Sequence, residues 1–136
     1  MNKTKLKLTY WLPTLLWAAL IFALSSFPTT KTSQFMWQDF LLKKTAHFIE
    51  YAVLFTLFYR SLRNTSRFSF TYLLTLTLTL TILYAVSDEI HQTFVPSREG
   101  RVRDVAIDSL GAISALALLR FPPVSIKPLL YRLSLL

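Results

Sequence analysis

Charge in this chain comes in clusters separated by long apolar runs. Tyr10–Phe27, YWLPTLLWAALIFALSSF, carries no charged residue. His47–Tyr59, HFIEYAVLFTLFY, is shorter and reaches spanning length if Lys44 and Arg60 turn their charges outward at its ends. Ser69–Val86 and Val105–Leu119 follow. An α-helix rises about 1.5 Å per residue and needs about 20 residues to cross the hydrocarbon core, about 17 at the least. The pattern therefore predicts four membrane helices, near 10–27, 45–62, 69–87 and 104–120, in one domain over 1–136. The second and fourth are the shortest, and each carries an acid near one end.

The third run poses a conflict of period. LTLTLTLT alternates every second residue, which alone argues for a half-buried strand. A lone strand cannot cross lipid, because its backbone N–H and C=O groups would lack partners there. In a helix, each threonine hydroxyl can bond back to the preceding turn. The expected fold is therefore all-α, a four-helix membrane bundle.

Composition agrees with a membrane class. The chain is 53% hydrophobic and 15% aromatic, with two glycines, no cysteine and a mean hydropathy of +0.44. Without cysteine there is neither a disulfide framework nor a thiolate metal site. A net charge of +8 could point to nucleic acid, but the basic residues lie between apolar runs and form no stripe, so no nucleic-acid partner is expected. Lys3, Lys5 and Lys7 before an apolar run, with Ala23–Ser25 as a cleavage site, imitate a secretion signal; Trp11, Pro13 and Trp17 inside the run favour a retained span.

Four alternating spans put Lys3, Lys5, Lys7, Arg60, Arg63, Arg67, Arg120, Lys127 and Arg132 on one side, against Lys31, Lys43, Lys44, Arg98, Arg101 and Arg103 on the other. That bias places both termini in the cytoplasm. All the acids of the chain, Asp39, Glu50, Asp88, Glu89, Glu99, Asp104 and Asp108, fall on the second side together with His47 and His91. The stretch SDEIHQTFVPSREGRVRD, Ser87–Asp104, is the densest part of this cluster.

Helical spacing gathers the polar groups onto faces. Lys44, His47 and Tyr51 share one, with Glu50 beside it; Tyr84, Asp88 and His91 share another, flanked by Glu89 and Gln92. Asp104, Asp108, Gly111 and Ala115 align on the last helix, the small pair offering a close-packing surface. Each element also has a structural reading. Lys43 and Lys44 can anchor a span end, Arg98 with Asp104 can be a clamp, and Pro96 can simply stop a helix. Phe35, Trp37 and Phe40 suit an interfacial aromatic belt. Glu50 lies well inside a span, where an acid is by default a functional candidate, with Lys44, His47 or a loop arginine as partner. Glu99, before Gly100, suits an exposed turn. Two histidines and several acids could frame a metal, but no His-Glu-x-x-His spacing is present; neither metal nor cofactor is expected.

KTAHFIEYAVL and SDEIHQTFVPSREGRVRDVAIDSLGA together resemble the VanZ-like membrane proteins, named for a teicoplanin-resistance accessory protein. The family's Lys, His and Tyr pattern falls on Lys44, His47 and Tyr51. Its acid-x-x-Gln-x-Phe-x-Pro-x-Arg pattern falls on Glu89, Gln92, Phe94, Pro96 and Arg98. Its Asp-x-x-x-Asn-x-x-Gly pattern falls on Asp104 and Gly111, with Asp108 replacing the asparagine. Ser114 and Ala115 stand where a further glycine is common. The resemblance implies an integral protein of the bacterial cytoplasmic membrane with a part in glycopeptide resistance, and supplies no reaction.

Function is then expected from the outward polar cluster between the second, third and fourth helices. The first expectation is a binding protein for a membrane lipid or cell-wall lipid precursor. Lys44, His47, Tyr51, Glu89, Gln92, Arg98, Asp104 and Asp108 would form the site, with Arg98 folding back after Pro96 as an anion clamp pinned by Asp104. The second is a membrane hydrolase or transferase with His47, Glu50, Glu89 and His91 as catalytic candidates. The third is an assembly subunit whose polar groups only lock helix packing.

Overall fold

The computed structural model describes residues 3–28, 36–98 and 100–136; Phe35 and Glu99, singled out above, lie outside it, as does the side chain of Asp39. Among the described residues the chain is all-helical. Helix α1 covers Lys3–Ser26, α2 Met36–Thr65, α3 Phe70–Gln92 and α4 Val102–Arg120; a 3-10 turn at Val124–Ile126 leads into the short α5, Lys127–Arg132.

The threonine ladder is helical for the expected reason. Thr75, Thr77, Thr79 and Thr81 each donate a hydroxyl to the carbonyl four residues back, at 2.7–3.1 Å. Ser69 caps the start of α3 by accepting from the N–H of Tyr72. Lys7–Ser26 and Phe70–Gln92 are long and apolar enough to cross a membrane, and α4 with Val124–Arg132, bent at 89°, makes a third span if the pair is taken as one. Helix α2 differs from the expected 45–62 segment. Its 30 residues extend to about 45 Å, so it has the length of a span, but Lys43, Lys44, Glu50 and Arg60 dilute its apolar run.

Interhelical bonds fix the relative directions. Trp11 donates to Thr65, Thr14 meets Ser61, and Trp17 donates to the carbonyl of Glu50, so α1 and α2 are antiparallel. Tyr84 donates to the carbonyl of Ala18, and Asp88 accepts from Ser25, so α1 and α3 run the same way. Lys44 pairs with Asp104 and His47 with Asp108, so α2 and α4 do too. Direction thus alternates from helix to helix. The end of α2 and the chain's last residues share one end, where Arg60 donates to Leu133 O and Asn64 to Ser134 O. The acid cluster occupies the other.

Two apolar clusters fill the interior. Phe55, Tyr59, Leu62, Leu73, Leu74, Ala112, Ala115 and Leu119 form the larger, while Ile21, Tyr51, Leu54 and Ala85 lie beneath the acids. Leu8, Leu12, Leu15, Leu16 and Leu20 of α1 remain exposed, as a lipid-facing surface requires. Because lipid is as apolar as leucine, association depends on close packing and polar contacts. Gly111 supplies the closest approach: a Cβ there would collide with the backbone carbonyl of Phe48.

The expected Arg98–Asp104 clamp does not form. Arg98 instead folds back onto α1, donating to Leu24 O and Phe27 O at 2.8 Å each and to Gln92 Oε1 at 3.2 Å. The last carbonyls of a helix lack partners within it, and the planar guanidinium serves two of them at once. The turn that aims it passes through Ser97, whose φ of 64° is left-handed. Asp104 is left to Lys44 and to its neighbour Arg103.

Two predictions follow from this packing. Gly111→Ala should lower stability by about 1–3 kcal/mol, read as a fall in the unfolding midpoint in detergent, because the Cβ meets rigid backbone. Helix propensity alone would shift it about 1 kcal/mol the other way, so the sign of the change is diagnostic. Arg98→Ala should speed amide exchange at the end of α1 by about tenfold, with little change at the end of α4.

Candidate functional site

The end of α3 divides its polar residues between two neighbours. Tyr84, Asp88 and His91 do share a face, and that face docks on α1. Tyr84 Oη donates to Ala18 O at 2.6 Å, Ser25 Oγ donates to Asp88 Oδ2 at 2.8 Å, and Ser26 Oγ contacts His91 Nε2 at 3.0 Å. The His91 ring also stacks on Phe22, with centroids 4.3 Å apart. His91 is thus turned away from His47, and the two do not form one site. Gln92 bridges Asp88 Oδ2 and Arg98, so the expected Gln and Arg of the loop secure α1. Phe94 is exposed.

Glu89 turns the other way, toward α4. Its Oε2 accepts the N–H of Arg101, the residue that caps α4, at 2.8 Å. Arg101 makes no side-chain cap, so a carboxylate from α3 satisfies an amide at that helix start. Gly100 fits beneath because a Cβ would strike Glu89 O and Thr93.

Between α2 and α4 the second half of the cluster assembles, with the two faces that the spacing defined turned toward each other. Lys44 Nζ is paired with Asp104 Oδ2, and His47 Nδ1 lies 3.4 Å from Asp108 Oδ1. The latter separation is a close contact without hydrogen-bond geometry; Asp108 is 1% exposed and neither of its oxygens has a hydrogen-bond partner in the protein. Tyr51 lies parallel to His47, with centroids 6.5 Å apart, and its hydroxyl is buried without a partner. Glu50, one residue before Tyr51, is half-buried; its carbonyl rather than its carboxylate takes the bond from Trp17.

Two residues that the sequence reading did not assign to the site complete the entrance. Arg103 Nε lies 3.6 Å from Asp104 Oδ1, and its guanidinium sits 5.0 Å from the centre of the Phe40 ring. Lys44 Nζ lies 5.7 Å from the same ring. Phe40 had been read as part of an aromatic belt; it is the floor under both cations. Its place four residues before Lys44, one helical turn, was the available signal.

Lys44, His47, Tyr51, Asp104 and Asp108 therefore come together, Glu89 stands at their α3 edge, and Gln92, Arg98 and His91 belong to the α1 junction. Buried acceptors outnumber donors: Asp88 Oδ1, Glu89 Oε1, Asp104 Oδ1 and both oxygens of Asp108 have no hydrogen-bond partner in the protein. Among the described residues, no three histidines or acids are arranged to hold a metal ion.

The same stretches carry the comparison with known proteins. No curated protein and no solved structure matches the chain. The profile of the family described as VanZ/LLP1 matches residues 10–123, from the first apolar helix to beyond α4, and so contains every residue of the cluster. The chain belongs to the VanZ-like family.

Proposed function

We propose that this protein is a four-span protein of the bacterial cytoplasmic membrane, with both termini in the cytoplasm. There it supports glycopeptide resistance of the teicoplanin type by binding a phosphate-bearing lipid headgroup or cell-wall lipid precursor. Family membership with apolar helices supports the membrane and resistance parts. The alternating helix directions and the gathering of acids at one end support the topology.

One observation carries the ligand reading. Lys44 and Arg103 stand together over Phe40, and Asp104 holds them both at the entrance to a buried polar cluster. Arg103, with its side chain 55% exposed, offers a planar fork for phosphate oxygens; Lys44, at 19%, offers a point charge behind it. Asp104 orients both cations, which reduces the conformational entropy lost on binding. Arg103 takes the part that the sequence assigned to Arg98, whose guanidinium is committed to α1. His47, Tyr51 and Asp108 lie behind as the inner wall.

Purified protein in detergent should bind polyprenyl phosphate. Replacing both Lys44 and Arg103 by glutamine should weaken binding by about tenfold or more, a loss suited to charge-assisted bonds. Arg98→Ala should change it by less than about twofold. Equal binding by wild type and the double variant defeats the reading. Orientation is tested separately: the chain lacks cysteine, so Ser66→Cys and Ser97→Cys each report alone. A membrane-impermeant thiol reagent should label only the Ser97 position in intact cells, and the reverse pattern reverses the topology.

A further inference from the structure

On the other side of α4 a groove opens between the end of α3 and the start of α4. Its volume is about 290 Å³, near the lower limit of small-molecule sites. Val86 and Ile90 form one wall, Val102 and Val105 the other, with Thr93, Gly100 and Arg101 closing it toward the loop. It is separate from the Lys44–Arg103 entrance, because Asp104 and Asp108 face α2 while Val102 and Val105 face α3. Val86, Ile90 and Val102 are exposed, so the groove is open to the surrounding medium.

Among its described lining residues, Glu89 is the one acid. That side chain is 5% exposed; Oε2 is used by the Arg101 N–H, and Oε1 is buried without a partner. The surrounding charge adds to the demand on Oε1. Asp104 and Asp108 lie close enough to repel it, and His47 is the nearby opposing group. Burying a carboxylate oxygen without a donor is costly, and a cationic donor brought to Oε1 removes that cost. The walls, by contrast, offer aliphatic side chains and room for a hydrocarbon segment.

We infer that this groove is a second binding site, for an amphiphile with a primary ammonium head: the chain lies along Val86, Ile90, Val102 and Val105, and the ammonium bonds to Glu89 Oε1. An ammonium has three donors on a compact charge, so it can reach a single buried oxygen that a planar guanidinium or a bulky headgroup could not. Glu89 Oε1 is itself buried, so the bond forms away from water, which strengthens it. A phosphate head is disfavoured by the same acids that attract the amine. The site stands whether or not phosphate binds at Lys44 and Arg103.

The test uses photoreactive diazirine derivatives of dodecylamine, dodecanol and dodecyl phosphate, added to the full chain in phosphatidylcholine nanodiscs. Cross-linked peptides are read by mass spectrometry. Dodecylamine should label residues 86–105 at about tenfold lower concentration than dodecanol, and dodecyl phosphate should label them least. Glu89→Gln keeps an acceptor for the Arg101 N–H and so keeps the loop; it should erase the preference for amine over alcohol while leaving labelling by the alcohol. Val105→Trp should fill the groove and suppress both. Equal labelling by amine and alcohol in the wild type overturns the proposal. So does a preference that survives Glu89→Gln, or label spread over the exposed leucines of α1 with none concentrated in the groove. The Lys44 and Arg103 double glutamine variant should label as the wild type does, which separates this site from the phosphate site.

Discussion

Two acids of α4 lie against a lysine and a histidine of α2, and much of the structure depends on their register. Asp104 and Asp108 are one helical turn apart, and Lys44 and His47 are spaced to meet them. The pairing works only while the two helices run in the same direction at close range. Gly111, one further turn along, permits that range by omitting the Cβ that would strike Phe48 O. A carboxylate buried between apolar helices has few alternative partners, so any slip of α4 along α2 would strand both acids. Because α2 and α4 run parallel, α3 must return antiparallel to both.

The other large organising element is the end of α3, which serves two neighbours at once. Tyr84, Asp88 and His91 fasten it to α1, and Glu89 fastens it to the start of α4. Gln92 links Asp88 to Arg98, and Arg98 extends the α1 junction across the loop by capping carbonyls at that helix end. Most of the charged residues in Ser87–Asp104 thus do structural work, joining helices whose apolar surfaces gain little by leaving lipid. What remains for ligand chemistry is narrower than the list of polar residues: the Lys44–Arg103 entrance on one side of α4 and the Glu89 groove on the other.

Asp108 illustrates how a family departure acquires meaning. Where the VanZ-like pattern has asparagine, this chain has an acid that is almost fully buried and faces His47. An asparagine would bring its own donor to such a position; an aspartate brings only acceptors unless it is protonated. The exchange adds to the interior an acceptor that the protein leaves without a donor.

The all-helical fold and the faces Lys44–His47–Tyr51, Tyr84–Asp88–His91 and Asp104–Asp108–Gly111 were legible in the sequence. They follow from local rules: an apolar run in lipid must be helical, and spacings of three and four residues fix which side chains share a face. Even the period-two threonines yielded to this argument, since only a helix satisfies their backbone. Partnership was not legible, because it depends on which faces meet. Nothing local distinguishes an arginine that holds Asp104 from one that caps α1; Arg98 took the second part and Arg103 the first. The length of α2 was hidden for a related reason: its charged turns look like a helix end until α4 supplies their counter-charges. Sequence by itself determined what each face carries; tertiary packing alone decided whom it faces, because ion pairs and caps are formed between helices distant in the chain.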